Sequence, residues 1–154
     1  MTMRERVAWM ATVTTIVIFG YYFWSVWADV ATRTLDGDAL FWRFLKCLGV
    51  AIAIMLPAAL IGARLSGDQF DPPPDELERL IEARANRIGL AVLEVAIVGV
   101  VLASAWVSGL ARTDFAADPA GATAIILVNL LLFVTASAAL LREIVTIFQY
   151  RRLA

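Results

Sequence analysis

Apolar residues in this chain fall into four long blocks separated by short polar stretches, rather than recurring at the three- and four-residue spacing of a helix that buries one face. The blocks cover residues 7–27, 39–63, 88–111 and 122–141, and the last resumes after Arg142 and Glu143 as far as residue 150. Each approaches or exceeds the ~20 residues that an α-helix needs to cross a hydrocarbon layer ~30 Å thick. In hydrocarbon, backbone polar groups must be satisfied inside the element that carries them, and a continuous apolar run achieves this as a helix. The pattern therefore predicts an all-α, integral membrane four-helix bundle forming one domain over residues 1–154, with helices at about 7–27, 39–63, 75–111 and 122–150. The longest polar stretch, 64–87, leaves no room for a separate catalytic domain.

Within this frame the punctuation is informative. The first block follows MTMRER and ends in YYFWSVW without a small-residue cleavage site, which reads as a retained signal-anchor. Its rings Tyr21, Tyr22, Phe23, Trp24 and Trp27 have the composition of an interfacial belt. Pro57 removes one backbone hydrogen bond late in the second helix and is expected to kink it, freeing the carbonyl of Ala53. The loop ADVATRTLDGDA holds three acids, Asp29, Asp36 and Asp38, which read as a plain turn rather than an ion site, because the rest of a calcium-loop pattern is missing.

The loop SGDQFDPPPDELERLIEARANR turns helical after its three prolines. Asp71 or Pro74 is a suitable start, and Asp75, Glu76 and Glu78 sit where the helix dipole favours negative charge. Nothing interrupts the pattern before the membrane, so the third helix is expected to project several turns out of it, on the cytoplasmic side. There Leu77, Leu80, Ile81 and Ile88 form an apolar stripe, with Glu78, Arg79 and Glu82 expected to face away. Leu77, Leu80, Ile81 and Arg84 are the candidate contacts for a partner, which could be a second copy, another protein, or the chain's own cytoplasmic end.

Composition agrees with the pattern: 61% of residues are hydrophobic and 18% charged, a membrane profile. A formal net charge of −1 gives no sign of nucleic-acid binding. Arg4, Arg6, Arg64, Arg79, Arg84, Arg87, Arg142, Arg151 and Arg152 lie at the two ends and in the central loop, while the other two loops hold only Arg33 and Arg112. By the positive-inside rule, both termini and the central loop are expected in the cytoplasm, with the chain spanning a bacterial inner membrane several times. The chain has no histidine and one cysteine, Cys47. Membrane haem, zinc and general-base catalysis thereby lose their commonest ligand and base, so no cofactor or metal is expected, nor an enzyme.

The candidate chemistry lies in charges inside the apolar blocks. A charge at the centre of a membrane helix costs ~2.5–3.5 kcal/mol on insertion scales, so it is paired, neutralised or hydrated. Glu94 stands about 10 Å past Arg87 at the helical rise, and Arg142 about as far from Arg151. Two polar layers are expected: Glu94 with Arg142 nearer the cytoplasm, and Arg43 or Lys46 with Tyr21, Tyr22 and Asn129 nearer the other face. Paired with Arg142, Glu94 fixes helix register; unpaired, it is a proton- or cation-coupling group. The ion pair is the expectation favoured here. Small residues four apart, Gly49 with Ala53, Ala85 with Gly89 and Gly99 with Ala103, permit close helix approach.

Taken together, RERVAWMATVTTIVIFGYYFW, DELERLIEARANRIG and REIVTIFQYRR resemble the DUF2178-like predicted membrane proteins over essentially the whole chain. Asp75, Glu76, Glu78 and Arg79 give DELER where that family reads nearer to DERDR. The resemblance implies a bacterial four-helix inner-membrane protein without established chemistry. Genes for small helix-turn-helix regulators often lie beside those of similar proteins, which implies a sensing or accessory role. The leading functional expectation is a non-enzymatic, self-associating membrane module that contacts lipid and binds a protein partner through the cytoplasmic helix. The alternative is a small four-helix transporter, working as a dimer of half-transporters with Glu94 as its coupling site.

Overall fold

The computed structural model describes residues 3–66 and 76–153, and every element in them is helical. The first span comprises α1 (Met3–Thr14), a π-helical segment (Thr15–Phe19) and α2 (Gly20–Ala31). It is followed by α3 (Gly37–Ser66), α4 (Glu76–Asp114) and α5 (Pro119–Leu153). All four spans are long and apolar enough to cross a membrane: Ala8–Ala31, Gly37–Ala58, Glu76–Asp114 and Pro119–Arg152. The described residues thus form an all-α four-helix membrane bundle. Asp71, Pro74 and Asp75, the candidate start of the third helix, lie outside the described residues.

Local sequence explains where the helices begin and end. Asp36 accepts from the backbone N–H of Asp38 and Ala39, so it caps α3. Asp118 caps α5 by accepting from Gly121 N–H, and Pro119 fills the first helical position, where its missing N–H costs nothing. At the end of α2, the N–H of Thr34 reaches Asp29 O and that of Arg33 reaches Val30 O. This is a Schellman termination, with Arg33 rather than glycine at the left-handed position, φ 59°. The π-helical segment overlaps a run of seven consecutive β-branched residues, 12–18, whose stiff side chains crowd an α-helical turn. Helix α3 continues through Pro57 without a break.

Packing follows a definite neighbour order. Helix α5 lies along α4 and also along the first span, and the first span in turn packs on α3. Among the described residues α3 and α4 have no extended contact, so they form the two flanks of the bundle. The central position of the first span shows in Thr12 and Thr14, about 200° apart around an α-helix, which are both buried. Tyr22, Val26, Leu40 and Cys47 form a core where α2 meets α3. Tyr22 packs edge-on against Phe23 and Phe44, and Phe23 against Phe133 of α5. The aromatic belt therefore divides: Tyr21, Trp24 and Trp27 point outward, whereas Tyr22 is 2% exposed.

Helix α4 buries one narrow stripe, Ile81, Ala85, Gly89, Val100, Val107 and Ala111. Gly89 makes this approach close: a side chain there would stand 3.3 Å from Arg142 Cβ and 3.4 Å from Ala138 O. The rest of the helix is exposed, with Val95 and Leu102 at 74% and 76%. Such a surface is stable against acyl chains or another apolar helix, not against water.

Candidate functional site

Inside the spans Arg43, Tyr22 and Arg142 each belong to a bonded group, whereas the charges of Glu94 and Lys46 have no bond to a described residue. Nearest the loops that join α2 to α3 and α4 to α5, Arg43 Nη1 donates to Asp29 Oδ2 at 2.8 Å and to Ser25 Oγ at 2.9 Å. Both charged side chains of this pair are largely shielded. Above it, Arg33 reaches across to Asp114 at 2.9 Å, tying the two loops together. A turn deeper, Tyr22 OH donates to Asn129 Oδ1 at 2.6 Å, and Asn129 Nδ2 donates back to Ile125 O at 2.9 Å. Each group uses its donors and acceptors locally, which favours a static role in joining helices.

The expected outer layer is thus assembled only in part. Tyr22 and Asn129 do meet, but Arg43 turns to Asp29 and Ser25 instead, and Tyr21 points outward at 62% exposure. An apolar block ending at residue 27 puts Asp29 in the following loop. Helix α2 continues to Ala31, and Asp29 lies on its inward face.

The expected inner layer does not form. Arg142 donates to Glu143 on its own helix, at 2.6 Å from Nη2, and not to Glu94. The reason is register. The stem of Arg142 packs over Gly89, five residues before Glu94, so the two groups differ in depth by about 7 Å at the helical rise. Glu94 also lies roughly 130° around the helix from the buried stripe, at 100° per residue. It is exposed, and so is Lys46 of α3. No bond to a described residue satisfies either charge.

At the opposite end of the bundle, where α1 begins and α5 ends, the Arg151 guanidinium stands over the Trp9 ring, 5.4 Å from its centre. On the first turns of α4, Leu77 (44%), Leu80 (59%) and Arg84 are exposed. Ile81 is not: at 1% exposure it packs on its own chain and cannot contact a partner. Glu78 and Glu82 are half-buried rather than facing away, because they flank that buried stripe.

A cavity of about 350 Å³ opens between α2, α4 and α5, lined by Phe23, Trp27, Trp106 and Phe133 among other apolar groups. No cluster of His, Cys, Asp or Glu suited to a metal ion occurs among the described residues. The chain matches no known family model, no curated protein and no solved structure, so its functional reading rests on these residues alone.

Proposed function

We propose that this chain is a non-enzymatic, self-associating membrane module that presents the projecting turns of α4 to a protein partner, in a sensing or accessory role. The observation that carries the reading is the exposed trio Leu77, Leu80 and Arg84. Ile81 and Ala85, each 1% exposed, fix the same turns against the chain's own core. Two exposed leucines beside an arginine on a braced helix suit a docking surface. The arginine distribution supports placing these turns and both termini in the cytoplasm of a bacterium, with the bundle in its inner membrane. Kinship with the DUF2178-like membrane proteins belongs to the same proposal.

A second reading is favoured by one observation, the carboxylate of Glu94 left without a bonding partner inside a membrane span. Such a group at a junction between copies could bind a proton or a cation in a small transporter. Native mass spectrometry of the tagged protein, released gently from its own membranes, separates the two. A stoichiometric protein companion that is lost with Leu77→Ser and Leu80→Ser, and retained with Glu94→Gln, supports the module. An oligomer without companions, carrying a small cation lost in Glu94→Gln, makes the chain a transporter.

A further inference from the structure

Glu94 and Lys46 are charges of opposite sign on opposite flanks of the bundle. Glu94 projects from α4 and Lys46 from α3; both are exposed, and α3 and α4 have no extended contact within the chain. Facing lipid, each charge would be expensive. Within one chain they cannot meet, because α5 and the first span lie between them.

Their depths agree when both are measured against α5. A side chain on Gly37 would stand 3.4 Å from Ile125 Cδ1, and α3 runs parallel to α5 from there. Phe41 with Val128 and Phe44 with Leu132 line one cavity in the same register. Lys46, nine residues on from Gly37, is therefore level with residue 134. On the other side Gly89 lies against Ala138 and Arg142, and α4 runs antiparallel to α5. Glu94, five residues on from Gly89, is level with residues 133–137. The two charges thus share a depth to within about 5 Å, less than a lysine stem can bridge. Beside Lys46, α3 also offers a flat strip: Gly49 and Ala53 are exposed, and a side chain on Gly49 would meet nothing within 4 Å. A neighbouring helix can come close there.

We propose that copies of this chain associate head to tail in the membrane, the outer face of α4 on one copy lying against the outer face of α3 on the next, with Glu94 paired to Lys46 across the junction. Every copy keeps the same orientation across the bilayer. Because the two contact faces differ, the interface is heterologous, the kind that forms a ring where the rotation between copies closes. The inference deepens the self-association in the reading above and does not depend on its protein partner.

Charge reversal followed by native mass spectrometry in lipid nanodiscs or mild detergent tests it. The wild-type chain should be oligomeric. Lys46→Glu alone or Glu94→Lys alone should weaken association by about 30-fold or more, the low end of what stranding one member of a buried charge pair costs. The double variant Lys46→Glu with Glu94→Lys should recover most of the loss, and a mixture of the two single variants should assemble where neither does alone. If a reversed charge impairs folding, the neutral set carries the same test: Lys46→Met or Glu94→Gln alone strands a charge and lowers the oligomer fraction, whereas both together restore it. Oligomers that persist unchanged in the single variants overturn this interface while leaving self-association intact. A monomeric wild type overturns both.

Discussion

Tyr22 and Asn129 show how a single polar contact joins helices in this bundle. The tyrosine hydroxyl lies among aromatic rings, and its acceptor is the side chain of a helix 107 positions away. Tyr22→Phe leaves Asn129 Oδ1 buried without a donor. The expected loss is about 1 kcal/mol, between the ~0.6 average of hydrogen bonds inside membrane bundles and the 1–3 of a stranded group in a water-soluble core. Adding Asn129→Leu removes the stranded acceptor, so the double variant should recover most of the stability. Unfolding of the purified protein in mixed micelles with increasing denaturing detergent measures both. A double variant no better than Tyr22→Phe would mean that the ring packing, not the hydrogen bond, carries the contact.

Depth alone brought Tyr22 and Asn129 together in the sequence, because both lie well inside their apolar blocks. The same reasoning misplaced Glu94 and Arg142. Depth measured from Arg87 and Arg151 treats both as one membrane boundary, but helix register is set where backbones come closest. Here that point is Gly89 under the stem of Arg142. A glycine among many small residues does not announce which helix it will meet, so this contact was not legible. Asp29 reads as loop for a simpler reason: it stands just beyond an aromatic belt, although α2 runs past it.

For individual elements, the spans themselves were plain in the sequence, and the finer geometry was only partly so. Composition and block length fix a membrane helix almost alone, and the observed ends differ from the expected ones by a few residues. The π-helical segment had a readable signal in its β-branched run, 12–18, yet such runs also occur in regular membrane helices. The cap of α5 was equally readable as Asp-Pro. Asp118→Ala should cost about 1 kcal/mol, the usual value of an N-cap. Gly121→Ala should lose the same contribution, because an added Cβ collides with the Asp118 carboxylate and displaces the cap. In the double variant the collision is gone, so the two costs should not add. Thermal unfolding of the three variants checks this, and additive losses would show that Gly121 matters for another reason.

In the molecule as a whole, the decisive feature is which helices are neighbours. Four apolar blocks are compatible with several orders, and nothing local distinguishes them. The observed order places the first span and α5 at the centre and leaves α3 and α4 as flanks. This turns Lys46 and Glu94 outward, on opposite flanks of the bundle. The same order leaves the first turns of α4 supported on one side only. Leu77→Ser with Leu80→Ser should therefore leave stability within about 0.5 kcal/mol of the original, as surface changes do. Ile81→Ser, on the buried side of the same turns, should cost several times more. Equal losses would place Leu77 and Leu80 in the core and remove the docking surface.

The most direct measurement is cysteine cross-linking in native membranes. In a Cys47→Ser background, Lys46→Cys and Glu94→Cys are placed in one chain, and each is also placed alone. Under mild oxidation or a short bifunctional reagent, the chain carrying both cysteines should form a ladder of dimers, trimers and larger species, while the single-cysteine chains stay monomeric. Dimers formed efficiently by Glu94→Cys alone would show that α4 pairs with its own copy. A double-cysteine chain that gives no product between copies would contradict the head-to-tail arrangement.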